Sequence, residues 1–347
     1  MTRVVAVDPD SPDPRIIAEA ASILRSGGLV AFGTETVYGL GADATNPAAV
    51  ARIFAAKGRP PTNPLIVHVA DVESARTCVA NWPAAADSLA AHFWPGPLTL
   101  VLPRSGLILD LITAGQATVA VRIPASPIAR ELIRRVGVPI AAPSANRSNR
   151  ISPTTAAHVL KDLDGAVDLI LDTGPCPVGI ESTVLDLAGE VPTILRPGDV
   201  TGDQIAAILG RPVAHFDGSV GSDLAAASPG QLAVHYAPRT PAFRITWTEW
   251  TALGTFDPDA RGFGVIALGE PPGGFPPATA AARRINRALD NPTTAAAWLY
   301  EILHLFDDEN LDFLLVITPS DDEPGWLAVL DRVRRATRPW DQRAGAP

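Results

Sequence analysis

The stretch Leu29-Val30-Ala31-Phe32-Gly33-Thr34-Glu35-Thr36-Val37-Tyr38-Gly39-Leu40-Gly41 decides the fold. Its first four residues are apolar and read as a short buried strand. Polar residues begin where that strand ends. Upstream, Pro14 suits the first turn of a helix carrying Ile16, Ile17, Ala20 and Leu24, which Gly27-Gly28 stops. Downstream, Asn46-Pro47 opens a second helix with Val50, Ile53 and Phe54 on one face, ending near Gly58. The alternation continues with strands at 65–69, 98–102, 119–123, 139–142, 169–171, 184–187 and 193–195, and helices at 84–92, 128–136 and 154–160. No clear helix separates 98–102 from 119–123, so some pairing is expected to be antiparallel. The pattern predicts an open, twisted, mixed α/β sheet with flanking helices over residues 1–200.

Residues 201–240 change character. A short helix fits 204–209, but 219–230 is small and flexible, leading to His235-Tyr236-Ala237-Pro238. This segment reads as a linker, and its two polar aromatics leave open whether it is only a spacer or, as the resemblance named below implies, a lid that folds over the active site. Residues 241–347 then read strand 264–268, helix 293–306, strand 311–317 and helix 326–336. That order suits a smaller, Rossmann-like C-terminal α/β domain.

Composition narrows the classes. The 347 residues are 47% hydrophobic and 19% charged, which argues against whole-chain disorder. With 34 Pro and 28 Gly, a long coiled coil or simple bundle is ruled out. The formal charge of −9 argues against tight autonomous nucleic-acid binding. Cys78 and Cys176 form neither a zinc spacing nor a disulfide framework. No apolar run approaches a membrane span and no signal peptide is evident, so a cytoplasmic location is expected.

Three segments place polar residues at strand ends, where open α/β sheets bind ligands. The first, 33–41, reads as a Gly-rich loop with two threonine hydroxyls, a carboxylate and three glycines, but fits neither a dinucleotide fingerprint nor a Walker motif. The second, Lys57-Gly58-Arg59-Pro60-Pro61-Thr62-Asn63-Pro64, holds one of only two lysines. A Lys and an Arg two residues apart suit a phosphate clamp, and equally a helix C-terminal cap. The third, Pro143-Ser144-Ala145-Asn146-Arg147-Ser148-Asn149-Arg150-Ile151-Ser152-Pro153, is a polar loop that runs into a helix with Ser152 as a candidate N-cap. No His/Asp pattern supports Ser144 as a nucleophile, so binding is the better reading. Asp172 and Glu181 are expected to be solvated or to cap backbone, and Cys176 and Trp94 to be structural.

Taken in order, Thr-Glu-Thr-Val-Tyr-Gly-Leu-Gly, Lys-Gly-Arg-Pro, Asn-Pro-Leu-Ile-Val-His, Val-Arg-Ile-Pro, Pro-Ser-Ala-Asn and Gly-Ile-Glu-Ser-Thr-Val with Leu-Arg-Pro-Gly resemble the threonylcarbamoyl-AMP synthase family. The resemblance covers residues 14–200 as a YrdC-type catalytic domain, with the remainder similar to the family's two-domain form. It implies ATP-dependent condensation of L-threonine with bicarbonate to L-threonylcarbamoyl-AMP and pyrophosphate. A downstream transferase would then pass the threonylcarbamoyl group to tRNA. It implies Lys57, Arg59, Ser144 and Asn146 as the catalytic tetrad. It also implies Thr36, His68, Arg122, Ala142 and Ser182 around threonine, with Ala142 acting through its backbone. Arg59, Asn63, Thr118, Ser144, Ser152, Arg196 and Tyr236 would contact ATP. Mg²⁺ is expected to enter with ATP, held by phosphates and water, because no acidic pair marks a metal site. The family usually has Gly where Asn149 stands, and Asn tolerates the positive φ such a loop demands. Two rivals are an RNA-binding module and a carbamoyl-transfer enzyme using carbamoyl phosphate.

Overall fold

The computed structural model describes residues 1–216, 218, 235–252, 262–269, 282–285, 289–320, 323 and 325–341. The expected flexible stretch 219–230 lies outside the described residues. The chain divides into two units, Met1–Ser148 with Ser152–Ala233, and Asn149–Ile151 with Val234–Pro347.

In the first unit, β1 (Arg3–Ala6), α1 (Pro14–Arg25), β2 (Val30–Gly33), β3 (Tyr38–Asp43), α2 (Pro47–Lys57) and β4 (Ile66–His68) come first. Then follow α3 (Val72–Cys78), α4 (Ala84–Phe93), β5 (Leu98–Pro103), α5 (Asp110–Thr113), β6 (Thr118–Arg122), α6 (Pro127–Val136) and β7 (Ile140–Ala141). The unit closes with α7 (Ala156–Leu163), β8 (Leu169–Asp172), β9 (Thr183–Asp186), β10 (Thr193–Arg196), α8 (Gly202–Leu209) and β11 (Ala214–His215). Its strands lie in the order β1-β8-β2-β3-β7-β4-β6-β5-β9-β10-β11. Pairing is mixed: β2 runs parallel to β8 and antiparallel to β3, and β5 runs antiparallel to β6 as expected.

Burial on both sheet faces explains the unbroken apolar run of β2. Val30 and Phe32 pack with Ile17, Leu24, Leu132 and Ile133 of α1 and α6. Leu29 and Ala31 point the other way, into a core with Leu40, Val50, Ile53, Leu100 and Val121. That is the period of two expected for a strand in a three-layer sandwich. The helix starts follow their caps: Asp13 accepts from the Arg15 N–H with Pro14 in the first turn, and Asn46 accepts from Ala48 and Ala49 before Pro47.

Two expectations are corrected. Residues 33–41 are not one loop but the arms and turn of a hairpin, with Val30 opposite Gly41 and Gly33 opposite Tyr38. Gly41 sits on a strand because a Cβ there would lie 2.8 Å from the Phe32 ring, so it serves packing rather than flexibility. The helix after the third segment begins at Ala156 and is capped by Thr155, not Ser152. Pro153 stays outside the helix because its carbonyl accepts the Tyr38 N–H at 2.9 Å. Residues 201–216 carry α8, started by a Thr201/Gln204 capping box, and β11, which pairs parallel with β10.

The second unit contains β12 (Ala242–Thr246), α9 (Trp247–Ala252), β13 (Phe263–Ala267), β14 (Ala282–Ile285), α10 (Pro292–Asp307), β15 (Phe313–Thr318), α11 (Leu327–Ala336) and β16 (Arg338–Pro339). Among the described residues its five strands, ordered β14-β13-β15-β12-β16, are all parallel. Helices follow β12 and β15 in the sequence, the Rossmann-like arrangement expected. Among the described residues, no helix is long and apolar enough to cross a membrane.

Candidate active site

Register brings the first group together. His68 ends β4 directly beside Arg122, which ends β6. Arg122 is buried, and its guanidinium is fixed on three sides: Nε donates to the Gly96 carbonyl at 3.2 Å, Nη1 to Thr36 Oγ1 at 3.0 Å, and Nη2 to Glu35 Oε1 at 2.5 Å. Three of the five donors of an arginine are thereby used, leaving one N–H on each terminal nitrogen. Glu35 Oε2 accepts the Ala125 N–H at 2.9 Å. Burial opposes the Glu35 charge, but Arg122 and these donors together hold its carboxyl below the usual carboxylate range.

His68 is 4% exposed, and its Nδ1 has no hydrogen-bond partner. Burial, with Arg122 adding to it, pushes the imidazole down to about 3. It is therefore neutral at physiological pH. Thr36 follows Glu35 at the hairpin turn, where Thr34 Oγ1 donates to the Val37 carbonyl at 2.6 Å and meets Thr36 Oγ1 at 2.9 Å. Ala142 is buried, with its N–H given to the Ile66 carbonyl at 3.0 Å. Ser182 Oγ meets Thr99 Oγ1 at 2.8 Å and accepts from Arg196 Nη2 at 3.1 Å.

The second group centres on Lys57, which is 2% exposed. Its Nζ donates to the carbonyls of Ser144 and Asn146, with Asn146 Oδ1 a further 3.4 Å contact. Three acceptors match the three donors of an ammonium. Burial, and then the Arg59 charge, push its pKa well down. Lys57 thus anchors the 144–146 loop to the end of α2, a role neither the clamp nor the cap reading contained. Ser144 Oγ donates to Asn146 Oδ1 at 2.6 Å. Arg59 wraps its own turn, donating to the Asn63 carbonyl at 3.0 Å, Asn63 Oδ1 at 2.6 Å and the Pro64 carbonyl at 2.7 Å. The Asn63 Nδ2 donor is buried without a partner.

Ser152 is fully buried and donates to Glu181 Oε1 at 2.5 Å. Thr118 opens β6, half-buried and opposite Pro103. Tyr236 belongs to the second unit, its ring 5.7 Å from that of Tyr300 and 5.4 Å from the Arg332 guanidinium carbon. Asn149 does adopt positive φ, at 66°. Trp94 is a packing residue, its Nε1 donating to the Leu98 carbonyl at 2.7 Å. Cys176 is buried, and burial pushes its thiol up to about 12.

Sequence reasoning missed Glu35, Thr99 and Gly96 as partners of the site. It also expected Glu181 to be solvated or to cap backbone, whereas it is buried against Ser152. A signal existed for Thr99, a lone hydroxyl in the apolar run 98–102. For Glu35 the signal was a carboxylate directly after a buried strand. Gly96 acts through its carbonyl, which no residue type reveals.

Fold and site define an α/β protein with buried guanidinium and hydroxyl donors set at the ends of adjacent strands. The sequence model of the family described as Telomere recombination matches residues 22–198. The one described as Threonylcarbamoyl-AMP synthase, C-terminal domain, matches residues 200–337. Threonylcarbamoyl-AMP synthase of Bacillus subtilis is 42% identical over 328 residues, covering 93% of each chain. Its namesake from Pyrococcus abyssi is 40% identical over 328 residues, covering 92% of this chain and 93% of that one. The crystal structure of P. abyssi Sua5 complexed with L-threonine superposes with a TM-score of 0.84 at 37% identity, covering 97% of this chain and 98% of that chain. The chain belongs to the threonylcarbamoyl-AMP synthase family and is an enzyme of the nucleotidyltransferase type.

Proposed function

We propose that this chain condenses L-threonine, bicarbonate and ATP into L-threonylcarbamoyl-AMP, releasing pyrophosphate. The observation that carries the reading is the Arg122 fork: one N–H left on each terminal nitrogen, in a buried site, is what a bidentate carboxylate takes. The complex of the P. abyssi relative with L-threonine supports threonine as the owner of that carboxylate.

The threonine amine would attack bicarbonate carbon, forming an N–C bond and expelling oxygen as water. The resulting carbamate oxygen would then attack the α-phosphorus, forming an O–P bond as the bond to pyrophosphate breaks. No side chain needs a covalent role. Arg122, Thr36 and Ser182 would orient threonine, and Arg59, Asn63, Ser144, Asn146, Ser152, Thr118 and Arg196 would seat the nucleotide, so catalysis is positioning and charge stabilisation. Lys57 would act by holding the Ser144–Asn146 loop in shape. Mg²⁺ would enter with ATP, held chiefly by triphosphate oxygens and water, and would offset phosphate charge. A downstream transferase acting on tRNA would consume the product, and the enzyme would work in the cytoplasm.

The test is pyrophosphate release with ATP and bicarbonate, adding each amino acid in turn. Threonine should stimulate release well above its isosteres. Release indifferent to threonine would overturn the reading.

A further inference from the structure

We propose that Glu35 is a positioning residue for the substrate carboxylate, setting threonine affinity by locking the Arg122 fork. The proposal rests on the reading of Arg122 as the carboxylate binder. Glu35 and Arg122 form an ion pair with side chains 10% and 4% exposed. The carboxylate is itself pinned: Oε1 takes Arg122 Nη2 and Oε2 takes the backbone N–H of Ala125. Ala125 lies three residues beyond Arg122, just before α6, so the contact ties the hairpin turn to the segment that follows β6. With the Gly96 carbonyl on Nε and Thr36 on Nη1, the guanidinium plane cannot rotate about its stem. A planar fork held this way keeps its remaining two donors in fixed directions.

Two opposite consequences are possible for an acid so close to a carboxylate binder. As a competitor, Glu35 would occupy Arg122 and weaken threonine binding. As a positioner, it would strengthen binding. The second pinned oxygen favours the positioner: Glu35 has its own backbone partner and stays in place when substrate arrives.

The experiment measures threonine and ATP dissociation constants by calorimetry for wild type, Glu35→Gln and Glu35→Ala, with steady-state pyrophosphate release alongside. Gln keeps the shape but only one acceptor oxygen, so it can serve Arg122 or Ala125 and not both. Loss of a hydrogen bond to a charged group predicts threonine binding about 10–100-fold weaker in Glu35→Ala. Glu35→Gln should recover part of that loss, with ATP affinity unchanged and the effect on KM for threonine exceeding that on kcat. Threonine binding equal to or tighter than wild type in either variant overturns the proposal. So does a parallel loss of ATP affinity, which marks a merely structural role. Failure of wild type to bind threonine would instead overturn the functional reading.

Discussion

Arg196 grips Ser182 twice, donating from Nη2 to the hydroxyl and from Nε to the carbonyl, each at 3.1 Å. A residue expected to hold nucleotide is thus hydrogen-bonded to one expected to hold threonine. Both are buried, and Ser182 Oγ also meets Thr99 Oγ1. Ser182→Ala removes the shared acceptor and leaves an Arg196 donor to find another. We expect weaker binding of both substrates. A double-mutant cycle with Arg196→Lys should show a coupling of at least about 0.5 kcal/mol, as for residues in one network. Strictly additive effects on threonine and ATP affinity would disprove the link.

Lys57 yields a second prediction. Its Nζ satisfies two backbone carbonyls, the part-buried one of Ser144 and the buried one of Asn146. Lys57→Met keeps the length of the stem and removes every donor. Each orphaned acceptor costs about 1–3 kcal/mol, so a lowered urea midpoint is expected together with loss of pyrophosphate release. Lys57→Arg should not rescue activity, because a planar fork cannot replace a compact three-donor head at a site with 2% exposure. Wild-type stability in Lys57→Met would show that the anchor is dispensable.

Much of this architecture was legible because hydrophobic period and punctuation agree. The run 29–32 has apolar residues on both faces, and Pro14 and Pro47 begin their helices as their positions demand. The hairpin was not legible. Gly39 and Gly41 look like loop residues, yet Gly41 is needed under the Phe32 ring. The start of α7 was misplaced because Ser152-Pro153 and Thr155 are competing starts, and the tertiary bond from Tyr38 to the Pro153 carbonyl decides between them. At the site, motif residues were readable but their partners were not. Arg122 meets Glu35 across 87 positions of chain, a contact that only strand order creates.

Gly198 supplies a purely steric test. A Cβ there would lie 2.4 Å from the Thr183 nitrogen and 2.7 Å from the Ser182 carbonyl carbon. Neither neighbour is a flexible side-chain end, so the backbone must move. Gly198→Ala should cost about 1–3 kcal/mol, the range for overpacking a tight site. The displacement falls on Ser182, so threonine affinity should drop in the same variant. Unchanged affinity with lowered stability would separate the turn from the site.

His68 gives a pH dependence whose sign can be worked out. The unfolded imidazole takes up a proton near 6.5, whereas burial and Arg122 hold the folded group down to about 3. Between those values the unfolded chain binds more protons, so stability rises with pH. The contribution is complete above about 6.5 and is lost as pH falls toward 3, with a limiting slope of about 1.4 kcal/mol per pH unit. His68→Gln cannot titrate and lacks this slope. Urea unfolding of both proteins from pH 7 down to 4.5 should therefore show wild type losing stability relative to the variant as acid is added. Parallel curves would mean that His68 is protonated in the folded state. In that case an imidazolium would stand beside Arg122, and its charge would help to hold the substrate carboxylate.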